Sequence, residues 1–294
     1  MWASRLRVVE DARERLASLP LFVNLDRASS IAVLGDVHGY DDVVDRFEQL
    51  VEEYSVDAAV MLGDYVDRGP NSTETIIRVL ELVSSDPSRF IPVRGDHEDP
   101  RMNEAYGFYE EVLYSQATDL YSLIVDAYAQ MPIAATWRGV FLVHGGVPCA
   151  DCSAPERPLR LDEAQASRSR VKGTRSYLNL EDPVLFQLAW NDPISTPVYF
   201  EPNPRGPGIY YYGRLAWSSF LRENGLKYIV RAHEVVDGLL LLRRDGRPAS
   251  ARCESRIPSA ELEGGVVTVF SSRYHGGRSG ALLIDEEGAT LKCL

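Results

Sequence analysis

The sequence predicts a layered α/β fold whose first strands run largely parallel, and three observations predict it. Short apolar runs alternate with amphipathic stretches through the first half of the 294 residues. Each of those runs ends in a tight, glycine-flanked acidic turn. From Met131 onward the alternation gives way to strand after strand, separated by long polar segments.

Taken in order, the N-terminal "MWASRLRVVEDARERL" is charged throughout and lacks the apolar core of a secretory signal. It reads as an amphipathic helix that lays Leu6, Val9 and Leu16 on a core. "SSIAVL" then leads into "GDVHG" and "YDDVVDRFEQLVEEY", and "DAAVML" into "GDYVDRG" and "NSTETIIRVLELV". "RFIPV" leads into "RGDHE", then "PRMNEAYGFYEEVL" and a further helical stretch from Thr118 to Gln130. "PIAATW" and "GVFLVHGG" form two adjacent strands around a turn at Arg138 and Gly139. Residues 149–182, rich in Ser, Arg, Pro and Asp, predict a long loop region; a helix follows at 183–190, before "WNDP". Residues 200–213 predict another extended loop, and "KYIV", "GLLLL", "VVTVFSS" and "GALLID" close the chain as strands. No segment resembles a flexible linker, and no repeat of about 20 to 50 residues is present. Residues 1–294 are therefore expected to form one domain, with residues 1–30 a helical extension packed on it.

Composition bounds the function. Apolar residues at 45% and charged residues at 25% are ordinary for a globular chain. The longest aliphatic run, "GLLLLRR", is far too short to cross a bilayer, so a cytoplasmic protein with no membrane partner is expected. A net charge of −12 argues against non-specific binding to nucleic acid, which needs a basic footprint. Four cysteines are too few for a disulfide scaffold. Cys149 and Cys152 form a C-x-x-C whose spacing suits a local redox pair or half a zinc site. No second pair or neighbouring histidine completes a zinc set, and Cys253 and Cys293 stand alone. All four are expected to be ordinary loop residues.

Ligands of α/β sheets collect at the carboxyl ends of strands, where loops converge. Five polar clusters sit there: Asp36 with His38, Asp64 with Asp67 and Arg68, Asp96 with His97, His144, and Arg231 with His233. One histidine after a strand is usually a hydrogen-bonded loop residue. Four of the five histidines in the same context are hard to attribute to loop chemistry. Carboxylate with neutral imidazole suits manganese, iron or zinc, and three acids with three histidines can serve two ions if one carboxylate bridges. Two ions about 3.5–4 Å apart would clamp a phosphate and acidify a shared water. Arg68 and Arg231, planar and permanently charged, are natural partners for phosphate oxygens.

In order and spacing, "GDVHG", "GDYVDRG", "RGDHE", "HGG" and "RAHEVVDG" resemble the signature blocks of the phosphoprotein phosphatase (PPP) family. These are metal-dependent serine/threonine protein phosphatases of the calcineurin-like metallophosphoesterase superfamily. The resemblance runs from about Ile31 to the C-terminus and extends to "YGFYEEV", "MPIAA", "WNDP" and "FSSRYHGG". The "DRG" ending differs from the bacterial diadenosine tetraphosphatases, which share the layout. The resemblance implies a central β-sandwich of two mixed sheets flanked by helices, with the metal site at one edge. It implies Asp36 and His38 at a first ion, Asp64 as the bridge, and Asp96, His144 and His233 completing a second. It implies His97 as the general acid, Asp67 as the group that orients its ring, Glu98 in support, and Arg68, Arg231 and Tyr274 around the phosphate. Two divalent ions are the implied cofactors, manganese ahead of iron or zinc. Phosphoproteins are the implied substrates, with regulatory protein subunits as further partners. The implied reaction is a one-step in-line attack on phosphorus by a metal-activated hydroxide. No cysteine is followed six positions later by arginine, so the C-x5-R loop of cysteine-dependent tyrosine phosphatases is absent.

Asp96 departs from the family, which usually has asparagine there. By formal charges, two divalent ions, two carboxylates and a hydroxide sum to about +1, and a third carboxylate brings this to about zero. A raised pH optimum or a distinct metal preference is the expected consequence. Glu234 stands where glutamine is common, and His275 is expected to face solvent. Hydrolysis of small phosphoesters or dinucleoside polyphosphates on the same metals is the alternative activity, and a non-catalytic binding module the third reading.

Overall fold

A computed structural model of the chain describes residues 2–294. The three strand–turn–helix units of the first half build one sheet. Its strands Ile31–Leu34, Ala58–Met61 and Phe90–Pro92 pair in parallel, side by side. On the other flank of Ile31–Leu34 the antiparallel strands Gly280–Asp285 and Gly288–Cys293 extend the sheet, and Arg256–Pro258 forms its edge. The second sheet runs, in spatial order, Phe22–Asn24, Ala134–Trp137, Val140–Val143, Tyr228–Arg231, Val266–Val269, Leu239–Leu242 and Pro248–Ser250. It too mixes parallel and antiparallel pairs.

The strands read as unbroken apolar runs because both of their faces are covered. Ile31 and Val33 point between the sheets and share a core with Val60, Leu142, Val230 and Val267. Ala32 and Leu34, at the alternate positions, join Val9, Leu16, Phe47 and Leu80 from the helices that cover the first sheet. Phe141, Val143 and Ile229 point out of the second sheet onto Leu185 and Leu188 of the helix Pro183–Trp190 and Trp217 and Phe220 of Arg214–Glu223. The result is the expected α/β architecture, two mixed sheets back to back with helices outside. The N-terminal helix Trp2–Ser18 buries Val9 and Leu16, with Leu6 packed against the same cluster.

Three expectations need correction. Residues 149–182 are not one loop, for they hold the short helices Leu161–Arg168 and Arg175–Leu178. Each buries a single side chain, Ala164 or Tyr177, too little for an apolar period to show. Residues 200–213 are not an extended loop either. Phe200–Pro202 and Tyr210–Tyr212 pair as an antiparallel ribbon, and Asp192–Pro193 pairs in parallel with the latter, forming a third small sheet. Finally, no cysteine stands alone: Cys149 pairs with Cys152 and Cys253 with Cys293. The second pair joins residues 40 apart whose Cα atoms the fold brings to 5.5 Å, a separation that suits a disulfide. Among the described residues no helix is long and apolar enough to cross a membrane.

Candidate active site

The turns that follow the strands are conformationally forced. His38, Asp64, Asp67, Arg68 and His233 all have positive φ, between 50° and 69°, and make up five of the ten non-glycine residues in that region among those described. Each such residue costs about 1–3 kcal/mol and persists only where its surroundings over-determine it. Here they do. Val37 and His38 both donate their N–H to Asp64 O, each at 2.9 Å. The buried Glu98 carboxylate gathers the N–H groups of Asp64 (2.8 Å), Tyr65 (2.9 Å) and Gly95 (2.8 Å). At Gly95 any Cβ would collide with the Asp64 carboxylate, so the close approach demands glycine.

Asp36, His38, Asp64, Asp96, His144 and His233 are all buried and meet at one edge of the sandwich. Donor atoms of Asp64, Asp96, His144 and His233 lie within 4.8 Å of one another, and those of His38, Asp64 and His97 form a second such group. His144 Nε2 is 2.9 Å from Asp96 Oδ1 and 3.3 Å from Asp64 Oδ1, while His233 Nδ1 is 2.9 Å from Asp96 Oδ1. His38 Nε2 is 3.6 Å from Asp64 Oδ2 and 3.8 Å from Asp36 Oδ2. Asp64 thus turns one oxygen to each side, the placement a bridging ligand needs. Asp36 lies outside both tight groups, with its Oδ1 accepting the His233 N–H at 2.7 Å.

The donor chemistry fits divalent cations. Nδ1 of His38 is 2.9 Å from Val66 O and Nδ1 of His144 is 2.7 Å from Leu62 O. A carbonyl can only accept, so each ring carries its proton on Nδ1 and aims the Nε2 lone pair inward. Lone pairs and carboxylate oxygens then crowd one volume with no positive charge between them. Burial, with Asp96 and Asp36 adding to it, holds the Asp64 carboxyl well above its ordinary range. Burial also raises Asp96, but contact with His233 and His144 outweighs it and leaves Asp96 well below. Burial depresses His144, yet the bond to Asp96 more than offsets this, so that a proton is drawn to the place a cation would take.

Beside the metal-type donors stands a histidine–aspartate pair. His97 Nδ1 is 2.7 Å from Asp67 Oδ2, and both residues are buried. Asp67 is itself fixed, since Phe108 N–H donates to Oδ1 at 3.0 Å and Asn103 Nδ2 donates to Oδ2 at 3.0 Å. Asn103 also donates to His97 O at 2.9 Å, tying the two residues together. His97 Nε2 faces a cavity of about 250 Å³ that Asp36, His38, Asp64, Asp96 and His233 also line.

Residues 29–237 match the Calcineurin-like phosphoesterase family. The chain belongs to that family. Its curated relatives include a "Serine/threonine-protein phosphatase PP2A-like PPG1" of Candida albicans, 34% identical over 227 residues, covering 76% of this chain and 50% of that protein. "Serine/threonine-protein phosphatase 5" of Arabidopsis thaliana is 31% identical over 245 residues, 82% of this chain and 43% of the relative. The chain spans about half the length of the curated relatives it matches. Among solved structures, a protein serine/threonine phosphatase from Saccharomyces cerevisiae, described as similar to human PP5, superposes with a TM-score of 0.77 at 22% identity. That match covers 100% of this chain and 90% of the yeast one. A cold-active protein-tyrosine phosphatase from Shewanella gives 0.60 at 19% identity over 96% and 84% of the two chains. Both share the fold.

In this member of the family the arginines are arranged differently from the sequence expectation. Arg68 does line the cavity: its guanidinium lies 4.6 Å from the Tyr106 ring centroid, its Nη2 is 3.4 Å from His97 Nε2, and its buried Nε has no partner. Arg231 does not line it. Its fully buried guanidinium commits four of its five N–H groups inside the protein, to Gly145 O (2.6 Å), Glu234 Oε2 (2.9 Å), Asn191 O (3.2 Å) and Asp192 Oδ1 (3.0 Å). Arg205 takes the wall position instead, its Nε held by Asp192 Oδ2 at 2.7 Å. Sequence reasoning missed both Arg205 and Asp192. The available signals were an arginine wedged between proline and glycine in "NPRGPG" and the acid of "WNDP". Tyr274 is half-exposed beside His275, ring centroids 4.9 Å apart, and His275 is exposed and lines the cavity mouth.

Proposed function

We propose that this phosphoesterase dephosphorylates phosphoserine and phosphothreonine in proteins by a one-step in-line displacement. The observation that carries the reading is the buried His97–Asp67 pair, 2.7 Å apart, opening on the same cavity as the cluster of metal-type donors. The printed names of the curated relatives point the same way. When bound, two divalent ions would supply Lewis acidity and lower the pKa of a water between them. Asp36, His38 and Asp64 would hold one, and Asp64, Asp96, His144 and His233 the other. A nitrogen and oxygen donor set without thiolate suits manganese, with iron or zinc as alternatives.

The chain's own groups do the rest. Arg68 and Arg205 face the cavity from its walls, and their guanidinium donors grip the phosphate oxygens. His97 keeps its Nδ1 proton on Asp67 and presents Nε2 to the leaving side, so it delivers a proton to the departing serine or threonine oxygen. Asp67 stabilises the imidazolium that must exist before that transfer. Among the described residues no cysteine lines the cavity, which agrees with direct attack rather than a thiol-borne intermediate. Residues 1–294 act in this account as one catalytic domain, in the cytoplasm, with regulatory protein subunits as partners.

A panel of phosphoserine and phosphothreonine peptides, assayed beside dinucleoside polyphosphates with manganese present, tests the proposal. The peptides should win by orders of magnitude, and His97→Ala should lower kcat by about 10²–10⁴ with manganese binding unchanged. Faster cleavage of the dinucleotides would reassign the site to small phosphoesters. No turnover of either, with or without His97, would make the chain a binding module.

A further inference from the structure

Cys149 and Cys152 lie off the cavity, and nothing in the chemistry above uses them. Cys149 stands five residues past His144, on the segment that leaves the strand Val140–Val143. That segment is laced to the helix Pro183–Trp190 and the residue after it. Gly145 and Gly146 donate to Leu188 O at 2.9 and 3.2 Å, Cys149 N–H donates to Gln187 Oε1 at 2.6 Å, and Asn191 Nδ2 donates to Val147 O at 2.9 Å. Asn191 is a junction, because its Oδ1 also accepts the Tyr210 N–H at 2.8 Å and so anchors the ribbon that carries Arg205. The next residue, Asp192, holds Arg205 at 2.7 Å and Asn203 at 2.8 Å. The C-x-x-C loop therefore braces the support of a cavity-wall arginine.

The two sulfurs differ in access. Cys149 is 4% exposed, whereas Cys152 is open to solvent. Cys293 is exposed as well, so access alone does not separate the two pairs; loop size does, because Cys149–Cys152 closes a sequence separation of 3 against 40 for Cys253–Cys293, and a cross-link over a short loop contributes less to the fold and is lost at less cost.

We propose that Cys149–Cys152 is a redox modification site that sets how firmly Arg205 is held, the co-reactant being a dithiol. One thiolate of the dithiol attacks Cys152 Sγ, the S–S bond breaks, and Cys149 leaves as a thiolate that takes up a proton. The second thiol of the reductant then displaces Cys152, which also leaves as a thiolate and is protonated. The chain gains two electrons and two protons, and the dithiol becomes a disulfide. Reduction frees the segment 147–152 from Gln187 and Asn191, and the Arg205 ribbon loosens. The metal-type donors, fixed by their own turns, stay in place. The consequence falls on phosphate binding and not on metal binding. The turnover part of this inference rests on the phosphatase reading; the thiol and phosphate-binding parts do not.

The test treats the full manganese-loaded chain with graded dithiothreitol, then alkylates and maps the thiols by mass spectrometry. In parallel, inorganic phosphate affinity is measured by calorimetry and KM with p-nitrophenyl phosphate. Cys149 and Cys152 should label before Cys253 and Cys293. Phosphate Kd and KM should rise about three-fold or more, the scale of one weakened hydrogen bond, while manganese Kd holds. Cys149→Ser/Cys152→Ser, or Cys152→Ser alone if the double variant folds poorly, should show the reduced-state values at every dithiothreitol concentration. Cys253→Ser/Cys293→Ser should keep the response. Simultaneous labelling of both pairs, an unchanged phosphate Kd after full labelling at 149 and 152, or a thiol response that survives in the serine variants would each overturn the proposal. Absence of p-nitrophenyl phosphate turnover in every thiol state would sink the phosphatase reading alone, since labelling and phosphate affinity still decide this one.

Discussion

At the scale of single residues, two arginines of the same chemistry differ in surroundings: Arg231 is fully buried with four of its five N–H groups committed inside the protein, and Arg205 lines the cavity. Arg231 spends its donors on Gly145, Asn191, Asp192 and Glu234 inside the protein. Arg231→Ala strands those acceptors, so we expect a loss of stability of about 3–5 kcal/mol in urea unfolding, as for one member of a buried ion pair. Arg205→Ala should leave the unfolding midpoint close to the parent's and raise KM. The opposite pattern would restore Arg231 to the phosphate. Asp96 sits 2.9 Å from both His144 Nε2 and His233 Nδ1, so its negative charge is central to the donor cluster. Asp96→Asn removes that charge, which should shift the pH–rate profile towards lower pH and weaken manganese affinity; superimposable profiles would contradict this. The polar clusters at 36–38, 64–68, 96–97, 144 and 231–233 were legible in sequence because each follows a strand, most in glycine-flanked turns, whereas the metal-ligand set and the pairing of His97 with Asp67 came from the family resemblance. Arg205 and Asp192 were not legible, because they meet each other across 13 residues of proline-rich sequence, and Asp192 meets Arg231 across 39, and no local pattern marks such meetings.

At the scale of elements, the sandwich is held by strands that are apolar on both faces. Leu142 is fully buried between the sheets, and Leu142→Ala should cost about 2–5 kcal/mol in urea unfolding, through lost burial plus the cavity left behind. Because Leu142 precedes His144 by two residues on the same strand exit, KM for any phosphate ester should rise with it only if that exit moves; an unaltered stability would show the inner layer to be loosely packed. The βα units were readable because apolar runs of three or four residues, such as IAVL and AAVM, end abruptly in glycine and acid. The helices Leu161–Arg168 and Arg175–Leu178 hid because each buries so little. The ribbon at 200–212 hid behind prolines and glycines that normally mark loops, and Asp192–Pro193 adds a third strand to it.

At the scale of the whole molecule, the site belongs to neither sheet alone. Asp36, His38, Asp64 and Asp96 leave strands of the six-stranded sheet, and His144 and His233 leave strands of the seven-stranded one. A backbone bridge between Asp36 and Phe270 ties the two sheets where these exits meet. The donor cluster therefore exists only once the sandwich has closed, and under the proposed function ion binding would become part of the folding free energy. Cations bound there would offset the three carboxylates that a chain of net charge −12 gathers in one buried pocket. The most direct measurement is anomalous diffraction from manganese-loaded crystals at the manganese edge. The account predicts two peaks about 3.5–4 Å apart, with Asp64 between them, Asp36 and His38 on one side and Asp96, His144 and His233 on the other. A single peak, or none within reach of these six side chains, would contradict it.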